Sequence, residues 1–135
     1  MVDLNETTLM EMNDYLEGIT MQEILYLRRK LFKFRVMFST QQMEEDVSVL
    51  DISVRGYNCL KRAGFNTLGD LVNGAYERDN ETSKRRLLRL RNLGRNTAEE
   101  ILLKLFYYQF HVLPEERRAG YMRTILEMNF GTEIV

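Results

Sequence analysis

The sequence predicts an all-α fold. Three observations carry that expectation. Apolar residues recur at spacings of three and four along most of the 135 residues. No stretch alternates convincingly between apolar and polar residues. Glycines stand where one short apolar pattern ends and the next begins. A hydrophobic fraction of 44% suffices for a packed core, and 29% charged residues keep its surface solvated.

The elements follow in order. Leu9, Met12, Leu16 and Ile19 form one helical stripe, and Ile24, Leu27, Leu31, Phe34 and Phe38 form a second. Thr8 with Glu11, and Thr20 with Glu23, match the capping-box pattern at a helix start. Gly18 separates the stripes, so residues 5–38 are expected to make an αα-hairpin. Leu25, Phe32, Val36 and Met37 widen the second stripe beyond what a two-helix pair can cover. Such a face would be a large apolar patch in water. It is therefore expected to pack on the tail around Met122, Ile125 and Leu126, with homodimerisation or another partner as the alternatives.

Residues 40–48 are polar and acidic and read as a linker. Ser53 to Arg62 carries Val54, Tyr57 and Leu60 at helical spacing. Thr67 suits the cap of a helix with Leu68, Leu71 and Val72. Residues 73–82 read as a loop, and Thr82 or Ser83 as the start of a helix with Leu87, Leu88 and Leu90. Asn96 or Thr97 starts the longest helix, with Ala98, Ile101, Leu102, Leu105 and Tyr108 on one face. Pro114 stops that helix or opens the next. A last helix holds Met122, Ile125 and Leu126 and ends near Gly131. The expected division is a helical hairpin at 1–45, a DNA-binding domain at 46–110, and a C-terminal helix at 111–135 packing on the rest.

Composition narrows the function. No apolar run approaches the roughly 20 residues of a membrane span. Asp3, Glu6 and Glu11 precede any basic residue, unlike a secretory signal. Cys59 is the only cysteine and His111 the only histidine. An intrachain disulfide is excluded, a reducing compartment is expected, and a His/Cys zinc cluster lacks ligands. The pairs Glu99-Glu100 and Glu115-Glu116 diverge around a helix, and no Ser-His or Cys-His arrangement is visible. The expectation is no enzyme, no metal and no cofactor.

The net charge of −1 is unevenly spread. Residues 1–50 carry −4, residues 51–110 carry +4 and residues 111–135 carry −1. Arg78, Lys84, Arg85, Arg86, Arg89, Arg91 and Arg95 face only Asp79 and Glu81 in their stretch. A basic block on an acidic body suits a nucleic-acid partner, although the run Lys84 to Arg86 reads equally well as a solvated helix face.

The segment from Asn92 to Ala98 is the most informative. A helix ends at Gly94 and another begins at once. Gly94 is expected to turn the backbone at positive φ, leaving the next helix's free N–H groups to meet a phosphate. A second glycine hairpin runs from Leu60 through Gly64 to Phe65. Each residue also has a plainer reading: Gly94 as a helix C-cap, Thr97 as an N-cap, Cys59 as a small core residue, and Arg55 as a surface ion-pair partner.

Three separated motifs support a resemblance. They are Val49 to Lys61, Ala63 to Leu71, and Arg91 to Thr97 with Glu100-Ile101. Residues 47–106 resemble the C-terminal domain of the bacterial RNA polymerase alpha subunit. The resemblance implies a compact helix-hairpin-helix type domain that binds A/T-rich DNA upstream of promoters through the minor groove, and contacts activators and sigma factor. It places the DNA-contacting residues at Arg55, Asn58, Cys59, Gly94, Arg95, Asn96 and Thr97, with Arg55 entering the groove. Asp51 falls where the family can face sigma factor. The family usually has a lysine where this protein has Asn96, which removes one phosphate-neutralising charge that Arg95 or Arg91 can replace in part. The stretch between Asp70 and Gly94 is longer and richer in arginine than the family norm. With no counterpart of the subunit's assembly domain in view, a stand-alone bacterial or mobile-element regulator is expected.

Two functions compete. One is a non-enzymatic, cytoplasmic and nucleoid-associated DNA-binding transcription protein, monomeric or homodimeric, on A/T-rich double-stranded DNA. The other is a protein-interaction module that docks on RNA polymerase, sigma factor or a regulator without DNA. Arg55, Asn58 and Gly94 favour the first; Asn96, the acidic total and the added hairpin favour the second.

Overall fold

The computed structural model describes residues 33–78, 81–83 and 93–130. The expected helical hairpin lies outside them except at its end, where the structure corrects it. Lys33–Arg35 is a strand, β1. Phe34 and Val36 are buried, Arg35 and Met37 exposed, and Phe38 half-buried. The apolar residues that fit a helical spacing of four also fit an alternation of two, and here the extended reading wins. Phe34 is held by an edge-on contact with Phe106, with ring centroids 5.3 Å apart.

Strands β2 (Tyr76–Arg78) and β3 (Glu81–Ser83) complete a small antiparallel sheet in the order β1-β3-β2. Phe34 lies opposite Thr82, and a bulge interrupts the β2–β3 pairing between Tyr76 and Arg78. The end of the preceding helix takes residues 73–75 of the loop expected at 73–82, and this sheet takes 76–78 and 81–82. Thr82 and Ser83, expected to start a helix, belong to β3 instead, because their backbone pairs with β1 and Thr82 also with β2. The rest of that expected helix, with Leu87, Leu88, Leu90 and the basic run, lies outside the described residues.

The acidic linker expected at 40–48 is ordered structure. Helix α1 (Thr40–Met43) starts at a full capping box: Gln42 N–H donates to Ser39 Oγ at 3.1 Å, and Ser39 N–H donates to Gln42 Oε1 at 2.8 Å. A 3-10 turn follows at Val47–Leu50, capped by Asp46, whose carboxylate accepts from Ser48 N–H at 2.8 Å. Val47 and Leu50 are buried. Leu68 N–H donates to the Glu45 carbonyl at 2.8 Å and Val47 N–H to the Asn66 carbonyl at 3.0 Å, tying this segment to the next hairpin.

Helix α2 (Val54–Arg62) ends where sequence spacing places its end. Gly64 N–H returns to the Lys61 carbonyl at 3.0 Å and Phe65 N–H to the Leu60 carbonyl at 2.8 Å. This is a Schellman ending, and Gly64 supplies its left-handed residue with φ +84°. Helix α3 (Leu68–Ala75) starts at Thr67, as expected. Asp70 N–H donates to Thr67 Oγ1 at 3.1 Å, and the Asp70 carboxylate accepts from the N–H groups of Asn66 and Thr67. Those bonds hold the Asp70 carboxyl below its usual range.

Helix α4 (Arg95–Val112) is the axis of the fold. Ala98, Ile101, Leu102, Leu103, Leu105, Phe106, Gln109 and Phe110 are all buried, so neighbours cover more than one face. Tyr108, expected in its apolar stripe, lies at the edge against Phe38 at 5.4 Å. Helix α5 (Glu115–Phe130) follows Pro114 and buries Tyr121, Met122 and Ile125. Arg118 donates to the carbonyls of His111 and Leu113, closing the end of α4. The Tyr121 hydroxyl donates to the Arg35 carbonyl at 2.7 Å, fastening α5 to β1. Five α-helices among the described residues build the body. The fold class is all-α, with the short strands as an addition at its edge.

Candidate nucleic-acid interface

Helix α2 has two faces with different work. Gly56, Cys59 and Leu60 turn inward and are buried. Val54, expected on the apolar stripe, is 76% exposed. The reason lies at the start of the helix. Ser53 caps it, its Oγ accepting from Gly56 N–H at 3.1 Å. The Glu100 carboxylate of α4 accepts both from Ser53 N–H and from Ser53 Oγ–H, each at 2.7 Å. This clamp turns the Gly56 side of α2 onto α4 and turns Val54 away. Glu100 is itself buried, so the charge-assisted bonds are made in a partly dry setting.

With α2 fixed in this way, Arg55, Cys59 and Arg62 line up along one edge of the helix at the spacing of successive turns. Arg55 and Arg62 are exposed, while Cys59 belongs to the buried core. A guanidinium nitrogen of Arg62 lies 3.9 Å from Cys59 Sγ. Cys59 thus packs inward, as its core reading expects, and also shows one side to this edge.

The other wall is the start of α4. Gly94 is its N-cap, with φ −78° and ψ 169°. The positive φ expected at Gly94 is thus corrected, as is its reading as a C-cap: the left-handed glycine of the paired hairpins is Gly64. Thr97 is not the cap either. It is the third residue of the helix and is buried, while Arg95 and Asn96 are exposed. A Cβ placed on Gly94 would meet nothing within 4 Å. Glycine has no side chain to satisfy the first N–H groups, which in any helix lack an intrahelical acceptor. They carry the positive end of the helix dipole.

The two walls enclose an open cleft of about 530 Å³, lined by Arg55, Cys59, Arg62, Gly94, Arg95, Asn96 and Thr97. It gathers every DNA-contacting residue expected from the sequence except Asn58, which is exposed on α2 but not in the lining. It adds one residue that sequence reasoning missed, Arg62. A signal for it exists: Arg62 stands seven positions after Arg55 and three after Cys59, on the same helix edge. Among the described residues, no carboxylate lines the cleft.

The neighbouring charges are already engaged. Lys61 Nζ lies 2.7 Å from Asp46 and sits over the Tyr57 ring at 5.1 Å. The Lys61 hydrogen bond, with the Ser48 N–H, lowers the Asp46 pKa from 3.8 to about 2, and Asp46 in turn raises Lys61. Asp51, the expected protein-contact residue, is exposed and left-handed, with φ 56°. Aspartate tolerates that conformation better than most residues. Among the described residues no His, Cys, Asp and Glu group could hold a metal, and no helix is long and apolar enough to cross a membrane.

Residues 38–106 match the family described as the C-terminal domain of the bacterial RNA polymerase alpha subunit. The protein belongs to that family. The match runs from just before α1 into the middle of α4, so every residue of the cleft falls inside it. This alpha C-terminal domain is 37% identical over 100 residues to the DNA-directed RNA polymerase subunit alpha of Heliobacterium modesticaldum, covering 70% of the present sequence and 28% of that protein. It is 46% identical over 63 residues to the subunit alpha of Oceanobacillus iheyensis, covering 47% of the present sequence and 18% of that protein. The match thus spans well under half the length of these relatives. No solved structure matches it. Strand β1, the end of α4 and α5 lie outside the family match.

Proposed function

We propose that the protein is a non-enzymatic DNA-binding transcription protein of the cytoplasm and nucleoid, holding A/T-rich duplex by the minor groove and the phosphate backbone. Residues 46–110 form its DNA-binding unit, with the flanking residues as additions. The observation that carries this reading is the meeting, in one cleft with no carboxylate among its described lining residues, of the Arg55 edge of α2 and the start of α4, where the Gly94 N-cap has no side chain to cap the helix. A guanidinium suits the negative potential of a narrow A/T-rich groove. Backbone N–H groups at a helix start suit a phosphate. Arg55 enters the groove, Asn58 contacts the duplex beside it, and Gly94 to Thr97 hold the backbone. A single module of this size neutralises few phosphates, so binding is weak and falls steeply with salt.

A mobility shift over a salt series on A/T-rich and G/C-rich duplexes tests the proposal. Wild type is expected to shift A/T-rich duplex at lower concentration, and Arg55→Ala to lose most of the binding. Equal affinity of wild type and Arg55→Ala at low salt would overturn it.

A second reading rests on a different surface. Asp51 is exposed between Val49, 41% exposed, and Val54, 76% exposed. An acid flanked by uncovered valines suits a protein partner, such as RNA polymerase, sigma factor or a regulator. Retention of polymerase or sigma factor by wild type, and its loss in Asp51→Lys, is the observation that would favour docking over DNA.

A further inference from the structure

The geometry points to Arg62 as a phosphate-holding residue of the cleft, a role that stands on the DNA-binding reading above. Arg62 lines the same cleft as Arg55 and the start of α4. It is exposed, and its guanidinium lies 3.9 Å from Sγ of Cys59, another residue of the cleft lining. It forms no ion pair with any described residue, whereas Lys61 beside it is committed to Asp46. A guanidinium donates through several N–H groups and can take two oxygens of one phosphodiester. With Arg95 at the other wall, a backbone phosphate lying in the cleft meets cations from both helices. Asn96 offers no charge there, so Arg62 supplies a cation that α4 lacks at that position.

The test is the salt dependence of binding of the full-length protein to an A/T-rich duplex. Each neutralised phosphate contributes about 0.9 to the slope of log affinity against log salt. Arg62→Gln is expected to reduce the slope by about that amount, and Arg62→Lys to keep most of it. Arg123→Gln, at an exposed arginine of α5 outside the cleft, makes the same change in net charge and is expected to leave the slope alone. A slope unchanged in Arg62→Gln overturns the inference while leaving the DNA reading intact. Equal slope losses in Arg62→Gln and Arg123→Gln overturn it too, since overall charge would then be the cause. Failure of wild type to bind duplex overturns both. Thermal melts of each variant show whether the fold is kept.

Discussion

The two ends of helix α4 are built on opposite principles. Its last turns are surrounded. Phe106 meets Phe34 edge-on at 5.3 Å and Tyr121 in a stack at 6.1 Å. Phe110 is fully buried, and Arg118 lies over its ring at 5.4 Å. Even the backbone there is tied down, with Gln109 Oε1 accepting from Met37 N–H. Its first turn, by contrast, begins at a bare glycine with exposed Arg95 and Asn96. One helix thus anchors the fold at one end and begins, at the other, with no side-chain cap on its first N–H groups. Stability and binding should therefore be separable by mutation, except where a residue joins the two regions.

Phe106→Ala should have the largest effect. It removes a fully enclosed ring from the junction of β1, α4 and α5, at a cost of about 3–5 kcal/mol. Urea unfolding should show the midpoint falling by most of its wild-type value. A loss under about 1 kcal/mol would mean the surrounded end is not the anchor.

Glu100→Ala is the variant that breaks the separation. Its carboxylate holds the start of α2 through Ser53, and without it the Ser53 N–H loses its acceptor, at a cost of about 1–3 kcal/mol. Arg55 and Arg62 ride on α2, so duplex affinity should fall along with the melting temperature. A variant that loses stability but binds duplex normally when folded would show that the cleft does not depend on the clamp.

Acid should act through the polar edge. The Asp46 carboxyl is held at about 2 against an ordinary 3.8. A lowered pKa stabilises the folded state above the ordinary value, and that contribution is lost as pH falls through about 2. Urea midpoints measured across this window should fall for wild type and fall less for Asp46→Asn. The effect is small because Asp46 and Lys61 are both partly in water. Identical acid profiles would remove the Asp46–Lys61 pair from the stability of the fold.

The same contrast explains what the sequence can and cannot tell. The helices α2, α3 and α5, with the cap at Thr67 and the turn at Gly64, are local features and are legible as such. So are the cleft residues other than Arg62, since their types and spacing match the family motifs. The misses are non-local or ambiguous. Phe34, Val36 and Phe38 satisfy two periods at once, and only the pairing with β3 decides between them. Strands of three residues are too short to show an alternation. Glu100 reads as half of an adjacent acidic pair, but its partner Ser53 is 47 residues away. Gly94 reads as a turn in the backbone. Its φ of −78° shows that no relief of strain is needed there, which leaves the missing side chain as what glycine contributes.

That last point can be measured directly with Gly94→Asn. Asparagine is among the best N-cap residues, has the same charge as glycine, and finds open space at this position. Its side-chain oxygen should take the N–H groups that the cleft otherwise offers to a phosphate. The expected result is a melting temperature equal to or above that of wild type, together with a clear loss of affinity for A/T-rich duplex. A variant that is at least as stable and binds the duplex as tightly as wild type would contradict the claim that the open end of α4 is a binding surface.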